Sequence, residues 1–114
     1  MLKTYNKIVR DRIPEIIHAG GQQPLLKEIG TEEIIAGLER KLKEELDEYL
    51  LDHSIEEMAD LLEVMHGILH HRGIPWEELE QVRAKKHAER GGFDKGIFLE
   101  AVRTDEETEG EEQE

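Results

Sequence analysis

The sequence contains no cysteine, which excludes disulfide bonds, thiolate-bound zinc and a cysteine nucleophile. Aromatic residues make up only 4% of the chain, so the core must consist mainly of aliphatic side chains, as is typical of helices that pack on helices. No apolar run approaches the about 18 residues of a membrane span, and the first residues, MLKTYNKIVR, lack the apolar stretch of a secretory signal. We therefore predict a cytoplasmic protein.

Positive charge is also scarce. The chain has 15 lysines and arginines against 28 aspartates and glutamates, which gives a formal net charge of −13. A general nucleic-acid binder needs a basic face to neutralise phosphates, and docking on anionic membranes needs basic residues too. The sequence therefore argues against a nucleic-acid polymer or a membrane as partner. A chain of 114 residues has room for one domain, which we place at residues 1–103.

The acidic residues are unevenly distributed along the chain. Residues 104–114 contain seven acidic side chains and no basic or apolar one, so we predict an acidic disordered tail there. Residues 44–63 contain nine carboxylates and no lysine or arginine, and basic segments lie on both sides of them, in residues 1–17 and 83–96. An acidic centre between basic flanks is the pattern expected of a site for a metal ion and phosphates. The alternative is a solvated acidic helix surface.

Hydrophobic periodicity, together with the placement of proline and glycine, predicts an all-α fold. The expected elements are a short helix over residues 14–19, a long helix that Thr31 caps and that runs to about Asp52, a second long helix between Ser54 and Gly73, and a helix from Pro75 to about Arg90. In the last helix, the side chains predicted to pack inward are Trp76, Leu79, Val82 and Ala84. Residues 22–29 and 96–102 are predicted to be short extended segments near the termini, and a last helical turn is the alternative for the second.

The second long helix is apolar over more than half of its circumference. Its apolar residues are Met58, Leu61, Leu62, Met65, Ile68 and Leu69. The short connection between the two long helices predicts that they are antiparallel neighbours, but one neighbour cannot cover so wide a face. We therefore expect a helical hairpin that completes a four-helix-type bundle by homo-oligomerisation, with a dimer as the smallest form.

Two pairs of carboxylates carry the predicted chemistry. Glu45 and Glu48 in the first long helix are three residues apart, and so are Glu57 and Asp60 in the second. Each pair therefore lies on one face of its helix, and a hairpin brings the two pairs opposite each other. Four converging carboxylates cannot all stay ionised without a counter-charge. Mg²⁺ or Mn²⁺, which prefer oxygen ligands, would supply it.

Two alternatives compete with this metal site. Ser54 and Glu57 also match a capping box, in which Glu57 would only accept a backbone hydrogen bond. The E-x-x-H motif of di-iron carboxylate bundles occurs twice, starting at Glu15 and at Glu63. The first copy lies in a predicted helix of barely two turns and the second on the polar side of its helix, which disfavours a di-iron centre.

Longer stretches of the sequence resemble a known family. They are KLKEELDEY, IEEMADLLEVMHGIL and RGI, together with YNKIVRDRIPEII and KHAERGGFDKGIFLE. These stretches resemble the all-α nucleotide pyrophosphohydrolases, a superfamily that includes MazG, the dimeric dUTPases and phosphoribosyl-ATP pyrophosphohydrolase. They are most similar to a small MazG-like, phosphoribosyl-ATP pyrophosphohydrolase-like subgroup, and the resemblance covers residues 4–102. One departure is a short turn, with eight residues between Glu48 and Glu57, which affects the expected base pocket and not the metal site.

The resemblance implies a reaction and a set of site residues. The reaction is Mg²⁺-dependent hydrolysis of a nucleoside triphosphate between the α and β phosphates, which gives a monophosphate and pyrophosphate, in a house-cleaning role. The implied metal ligands are Glu45, Glu48, Glu57 and Asp60. Glu44 or Glu45 would orient or deprotonate the attacking water. The candidates for binding the outer phosphates are Lys7, Arg10, Arg12, Lys41, Lys86 and Arg90. The alternative functions are a nucleotide-binding protein without turnover and an acidic helical interaction module.

Overall fold

The computed structural model of this chain describes residues 1–105. Within that range it contains four α-helices and no strand, which confirms the predicted all-α class. The helices are α1 (Ile13–Ala19), α2 (Thr31–Asp52), α3 (Ile55–His71) and α4 (Trp76–Arg90). Residues 106–114 of the predicted acidic tail lie outside the described range.

The ends of the helices largely follow local signals in the sequence. Pro14 lies in the first turn of α1, where a backbone N–H is not needed. Before α3, the hydroxyl of Ser54 accepts a hydrogen bond from the backbone N–H of Glu57 (3.2 Å), which confirms the predicted cap. The predicted cap of α2 is wrong by one residue. Gly30 already has the extended backbone that an N-cap requires (φ −74°, ψ 166°), so Thr31 becomes the first helical residue.

Helices α2 and α3 pack against each other as an antiparallel hairpin. Only His53 and Ser54 connect them. His53 makes the turn in the left-handed region (φ 57°), and its N–H donates a hydrogen bond to the carbonyl of Tyr49 (2.7 Å). Leu38, in the first half of α2, lies against Gly67, in the second half of α3, where an added Cβ would be 3.4 Å from a Leu38 methyl group. This pairing of opposite ends shows that the two helices run in opposite directions.

The core of the hairpin is small. Among the described residues, Leu38 and Val64 are the buried large apolar side chains. Met58, Leu62 and Met65 on α3 remain exposed, as the sequence predicts for a helix with one neighbour. The apolar circumference of α3 is therefore only partly covered by the residues that the structure describes.

The last predicted elements differ from the structure. Residues 22–29 and 96–102 have no regular secondary structure, because an extended segment without a neighbouring strand has no ladder of hydrogen bonds to join. In α4, Trp76 and Leu79 are half-buried, but Val82 and Ala84 are exposed, so the inward packing predicted for these two is wrong. The first turn of α4 is held on α3 by a stacked pair of rings, Trp76 on His66, with centroids 3.8 Å apart.

The chain separates into two compact parts, Met1–Gln81 and the residues from Val82 onward, with the boundary inside α4. The hairpin and the acidic cluster lie in the first part. The single domain placed at residues 1–103 stays a prediction. No helix in the described part of the chain combines the length and the apolar character needed to cross a membrane.

Candidate metal centre

Three of the predicted metal ligands meet across the hairpin. Glu45 on α2 and Glu57 and Asp60 on α3 each present a carboxylate oxygen, and these oxygens lie within 4.8 Å of one another. Mg²⁺ binds oxygen ligands at about 2.1 Å, so opposite ligands on one ion are about 4.2 Å apart. Adjacent ligands on such an ion are about 3 Å apart, and three ligands include at most one opposite pair, so the three carboxylates would have to close by up to about 2 Å to share an ion.

Glu45 is the most unusual member of this cluster. Glu45 is only 8% exposed, and among the described residues it is the charged residue that is buried. Its Oε2 atom is buried without a hydrogen-bond partner, and so is Oε2 of Glu57. A buried carboxylate oxygen without a partner is costly. A hard divalent cation is the partner that suits a set of carboxylate oxygens, so the residues present fit such an ion.

The electrostatics of the cluster show a shortage of positive charge. Loss of water contact raises the pKa of Glu57 to about 7, and the neighbouring carboxyls of Glu45 and Glu48 add to the rise. Burial also raises the pKa of Glu45, and the negative charges of Glu48 and Asp60 contribute, while the Glu57 carboxyl and the Lys41 ammonium oppose the rise. Without a cation, the cluster therefore retains protons that an ordinary glutamate loses well below neutral pH.

The capping-box interpretation of the Glu57 side chain is wrong. The backbone N–H of Glu57 does bond to the Ser54 hydroxyl, but the reciprocal bond is missing, because the backbone N–H of Ser54 donates to Oδ1 of Asp52 (3.0 Å). The carboxylate of Glu57 is therefore not used in the cap. It lies instead with Glu45 and Asp60.

The fourth predicted ligand, Glu48, lies at the edge of the cluster. It is exposed and does not belong to the group of oxygens within 4.8 Å. Its charge nevertheless contributes to the raised pKa values of Glu45 and Glu57, which places it beside them. The structure thus brings three of the four predicted ligands together and leaves the fourth adjacent.

Three of the predicted phosphate-binding cations contact this acidic region. Nζ of Lys7 is 2.9 Å from Oε1 of Glu44, and Nη2 of Arg10 is 2.6 Å from Oδ1 of Asp60. Nζ of Lys41 lies 3.8 Å from Oε1 of Glu45. The hydrogen bond from Lys7 lowers the pKa of Glu44, so Glu44, the predicted water-orienting residue, stays ionised beside the cluster.

Of the remaining predicted cations, one lies in the same compact part of the chain as the cluster and two lie in the other part. Arg12 pairs with Glu15 on the surface (3.0 Å). Lys86 and Arg90 lie on the exposed end of α4, in the second compact part of the chain. Their substrate-binding roles stay predictions. The di-iron alternative gains no support, because Glu15 is paired with Arg12 and the ring of His66 is stacked on Trp76.

One feature of the site was missed from the sequence. Ile8 packs over Gly37 of α2 so closely that a Cβ at position 37 would lie 2.7 Å from Cγ1 of Ile8. Because a glycine inside a helix lowers stability unless it has a packing reason, Gly37 itself was the available signal.

Comparison with known proteins identifies no family for the chain. No protein-family model matches it, and no solved structure matches it. A protein of Mycolicibacterium smegmatis, described as uncharacterized, is 45% identical over 42 residues, which is 37% of this chain and 43% of that protein. The match therefore covers less than half of either protein.

Proposed function

We propose that the protein is a divalent-metal-dependent nucleotide pyrophosphohydrolase that cleaves a nucleoside triphosphate between its α and β phosphates. The observation that carries this proposal is the buried carboxylate of Glu45, whose Oε2 has no partner and whose neighbours are the carboxylates of Glu57 and Asp60. The cluster supports a hard-cation site. The resemblance of the sequence to MazG-like pyrophosphohydrolases supports the reaction.

The proposed mechanism uses the residues of the cluster in different roles. Glu45, Glu57 and Asp60 would hold Mg²⁺ or Mn²⁺, with Glu48 close enough to join them. When bound, the ion would neutralise phosphate charge and make a water acidic enough to attack near neutral pH. Glu57 would hold the ion as a carboxylate, with its proton released to solvent. Glu44, which Lys7 keeps ionised in the free protein, would orient the attacking water, with Glu45 as the alternative.

The nucleoside triphosphate would bring its negative charge to the cations at the rim of the cluster. Lys7, Arg10 and Lys41 already lie within ion-pair distance of acidic residues there. A polyphosphate can replace those carboxylates as their partner, because charge-assisted bonds to phosphate are strong. The further candidates for the outer phosphates are Arg12, Lys86 and Arg90.

We also propose that two copies of the chain pair through an apolar face of the hairpin. This face consists of Leu46, Leu50, Met58, Leu62 and Met65, which are between 38% and 57% exposed. Leu46 follows Glu44 by two residues and Leu62 follows Asp60 by two, about 200° around each helix. The apolar face thus lies opposite the side that holds the N-terminal ion pairs. A homodimer that buries this face would leave that side open to a nucleotide.

The experiment that tests the function is a screen of ribo- and deoxyribonucleoside triphosphates with Mg²⁺ or Mn²⁺, with pyrophosphate and phosphate measured separately. We expect pyrophosphate and a monophosphate from at least one substrate. Asp60→Asn should abolish the release. Asp47→Asn is the matched control, because Asp47 is an exposed residue of α2 that pairs with Lys43 and lies outside the cluster.

Other outcomes distinguish the alternatives. Metal-dependent nucleotide binding without pyrophosphate would indicate a binding protein without turnover. Absence of divalent-cation binding, measured by isothermal titration calorimetry, would refute the metal centre and favour an acidic interaction module. Release of single phosphate would show a different bond specificity from the one proposed.

A further inference from the structure

The N-terminal segment lies along one side of the hairpin and is attached to it at three places. Ile8 packs on Gly37 of α2, Lys7 pairs with Glu44, and Arg10 pairs with Asp60 of α3. We call residues 7–10 the N-terminal strap. Asn6 immediately before it has a positive φ of 47°, a conformation that asparagine tolerates better than most residues.

The apolar attachment is tighter than the two ionic ones. The side chains of both ion pairs are between 38% and 54% exposed, and exposed ion pairs contribute little to holding a segment in place. Ile8, in contrast, occupies the space that any side chain at position 37 would need. The contact therefore depends on the missing Cβ of Gly37, in a helix where alanine would otherwise be the better residue.

We propose that the packing contact of Ile8 on Gly37, which we call the seat, positions the strap. Lys7 and Arg10 would then meet phosphate oxygens at the metal centre. This inference rests on the proposed function and adds to it two positioning residues, neither of which touches substrate. Their role is to restrict Lys7 and Arg10 before phosphate binds. These two side chains then lose less conformational freedom on binding. Loss of the seat should weaken the binding of phosphates and leave the metal ligands in place.

The test is Gly37→Ala, compared with Gly67→Ala. Gly67 is the matched control because it is also a helical glycine of the hairpin, but an added Cβ there meets Leu38 at an ordinary contact distance of 3.4 Å. In Gly37→Ala, the new methyl group displaces Ile8. We expect the KM for the nucleotide and the Kd for Mg²⁺-pyrophosphate to rise about tenfold with kcat within about twofold, the pattern of lost uniform binding. Gly67→Ala should leave both constants unchanged.

Two further measurements separate positioning from general damage. Ile8→Ala removes the other side of the same contact without altering a helix. It should therefore raise the same KM and Kd. In the Ile8→Ala background, Gly37→Ala should raise them no further. Trypsin cleavage after Lys7 and Arg10 reports directly on the strap without any ligand. It should become several-fold faster in Gly37→Ala and Ile8→Ala, while the melting temperature of Gly37→Ala is maintained.

The inference and the proposed function fail in different ways. Wild-type binding constants and wild-type cleavage in Gly37→Ala, or equal changes in Gly67→Ala, would overturn the positioning role while the metal-dependent reaction stands. If the wild-type protein neither hydrolyses nucleotides nor binds Mg²⁺-pyrophosphate, the phosphate-binding role of the strap is refuted together with the proposed function. The tryptic cleavage would then still decide whether Ile8 on Gly37 holds the strap.

Discussion

Replacement of Glu57 by glutamine tests the metal centre most directly. The structure gives Glu57 a raised pKa of about 7, caused first by loss of water contact and then by the carboxyls of Glu45 and Glu48. At pH 6 about one tenth of these side chains are ionised, at pH 7 about half and at pH 8 about nine tenths. Glutamine keeps the shape of the protonated form, removes the repulsion and removes an anionic ligand.

The expected change in stability without metal follows from the sign of the pKa shift. Because the folded-state pKa lies above the ordinary value of 4.5, the folded protein binds the proton more tightly than the unfolded chain does. This contribution to stability is fully present below pH 4.5 and is lost as the pH rises through 7. The metal-free melting temperature of Glu57→Gln should therefore be closest to the wild-type value near pH 4 and exceed it most at pH 8.

The same variant should lose metal binding and activity. Mutation of residues that only hydrogen-bond to metal ligands lowers metal affinity or activity by about 10–100-fold. Loss of a direct ligand should therefore lower the rate of hydrolysis by at least about 100-fold. In the wild-type protein, Mg²⁺ affinity should rise with pH through about 7, because the ion competes with the proton on Glu57. Calorimetric titration at pH 6, 7 and 8 measures this dependence.

Glu56→Gln is the matched control. Glu56 is the exposed neighbour of Glu57 in the first turn of α3, so both substitutions remove one charge from the same helix end. The control should retain metal binding and show no gain in melting temperature at pH 8. If Glu57→Gln instead lowers the melting temperature at pH 8 and keeps normal metal binding and hydrolysis, the ligand assignment of Glu57 is wrong and its role is structural.

Three further predictions concern the rest of the chain. Leu62→Glu should reduce the solution mass to that of a monomer in sedimentation experiments. Leu62 is 46% exposed, and burial of this exposed part in a dimer is worth about 1 kcal/mol per chain. An unchanged mass would argue against the apolar dimer face. Ser54→Ala should lower the free energy of unfolding in urea by about 1 kcal/mol through loss of the α3 cap, with metal affinity unchanged. Deletion of residues 104–114 should leave kcat and the mass of the assembly unaltered apart from the lost residues, because they contain no apolar side chain, and a large fall in kcat would contradict this.

Local signals in the sequence were sufficient to predict the four helices. Pro14 and Ser54 mark helix starts because a missing N–H and a capping hydroxyl act within one turn of the chain. The convergence of Glu45 with Glu57 and Asp60 was also predictable. The carboxylates on each helix are three residues apart, so each pair lies on one face. Because only two residues connect the helices, an antiparallel hairpin is the simple arrangement, and it brings these faces together.

The tertiary structure alone decided which side chains are buried and which charges are paired. Glu45 is buried while Glu48, on the same helix, is exposed, because burial depends on where the partner helix lies, and spacing along one helix does not specify this. Likewise, Arg10 meets Asp60, 50 positions away along the chain, and Ile8 lies over Gly37. Such contacts join residues that are distant in sequence, so no local pattern of either segment reports them.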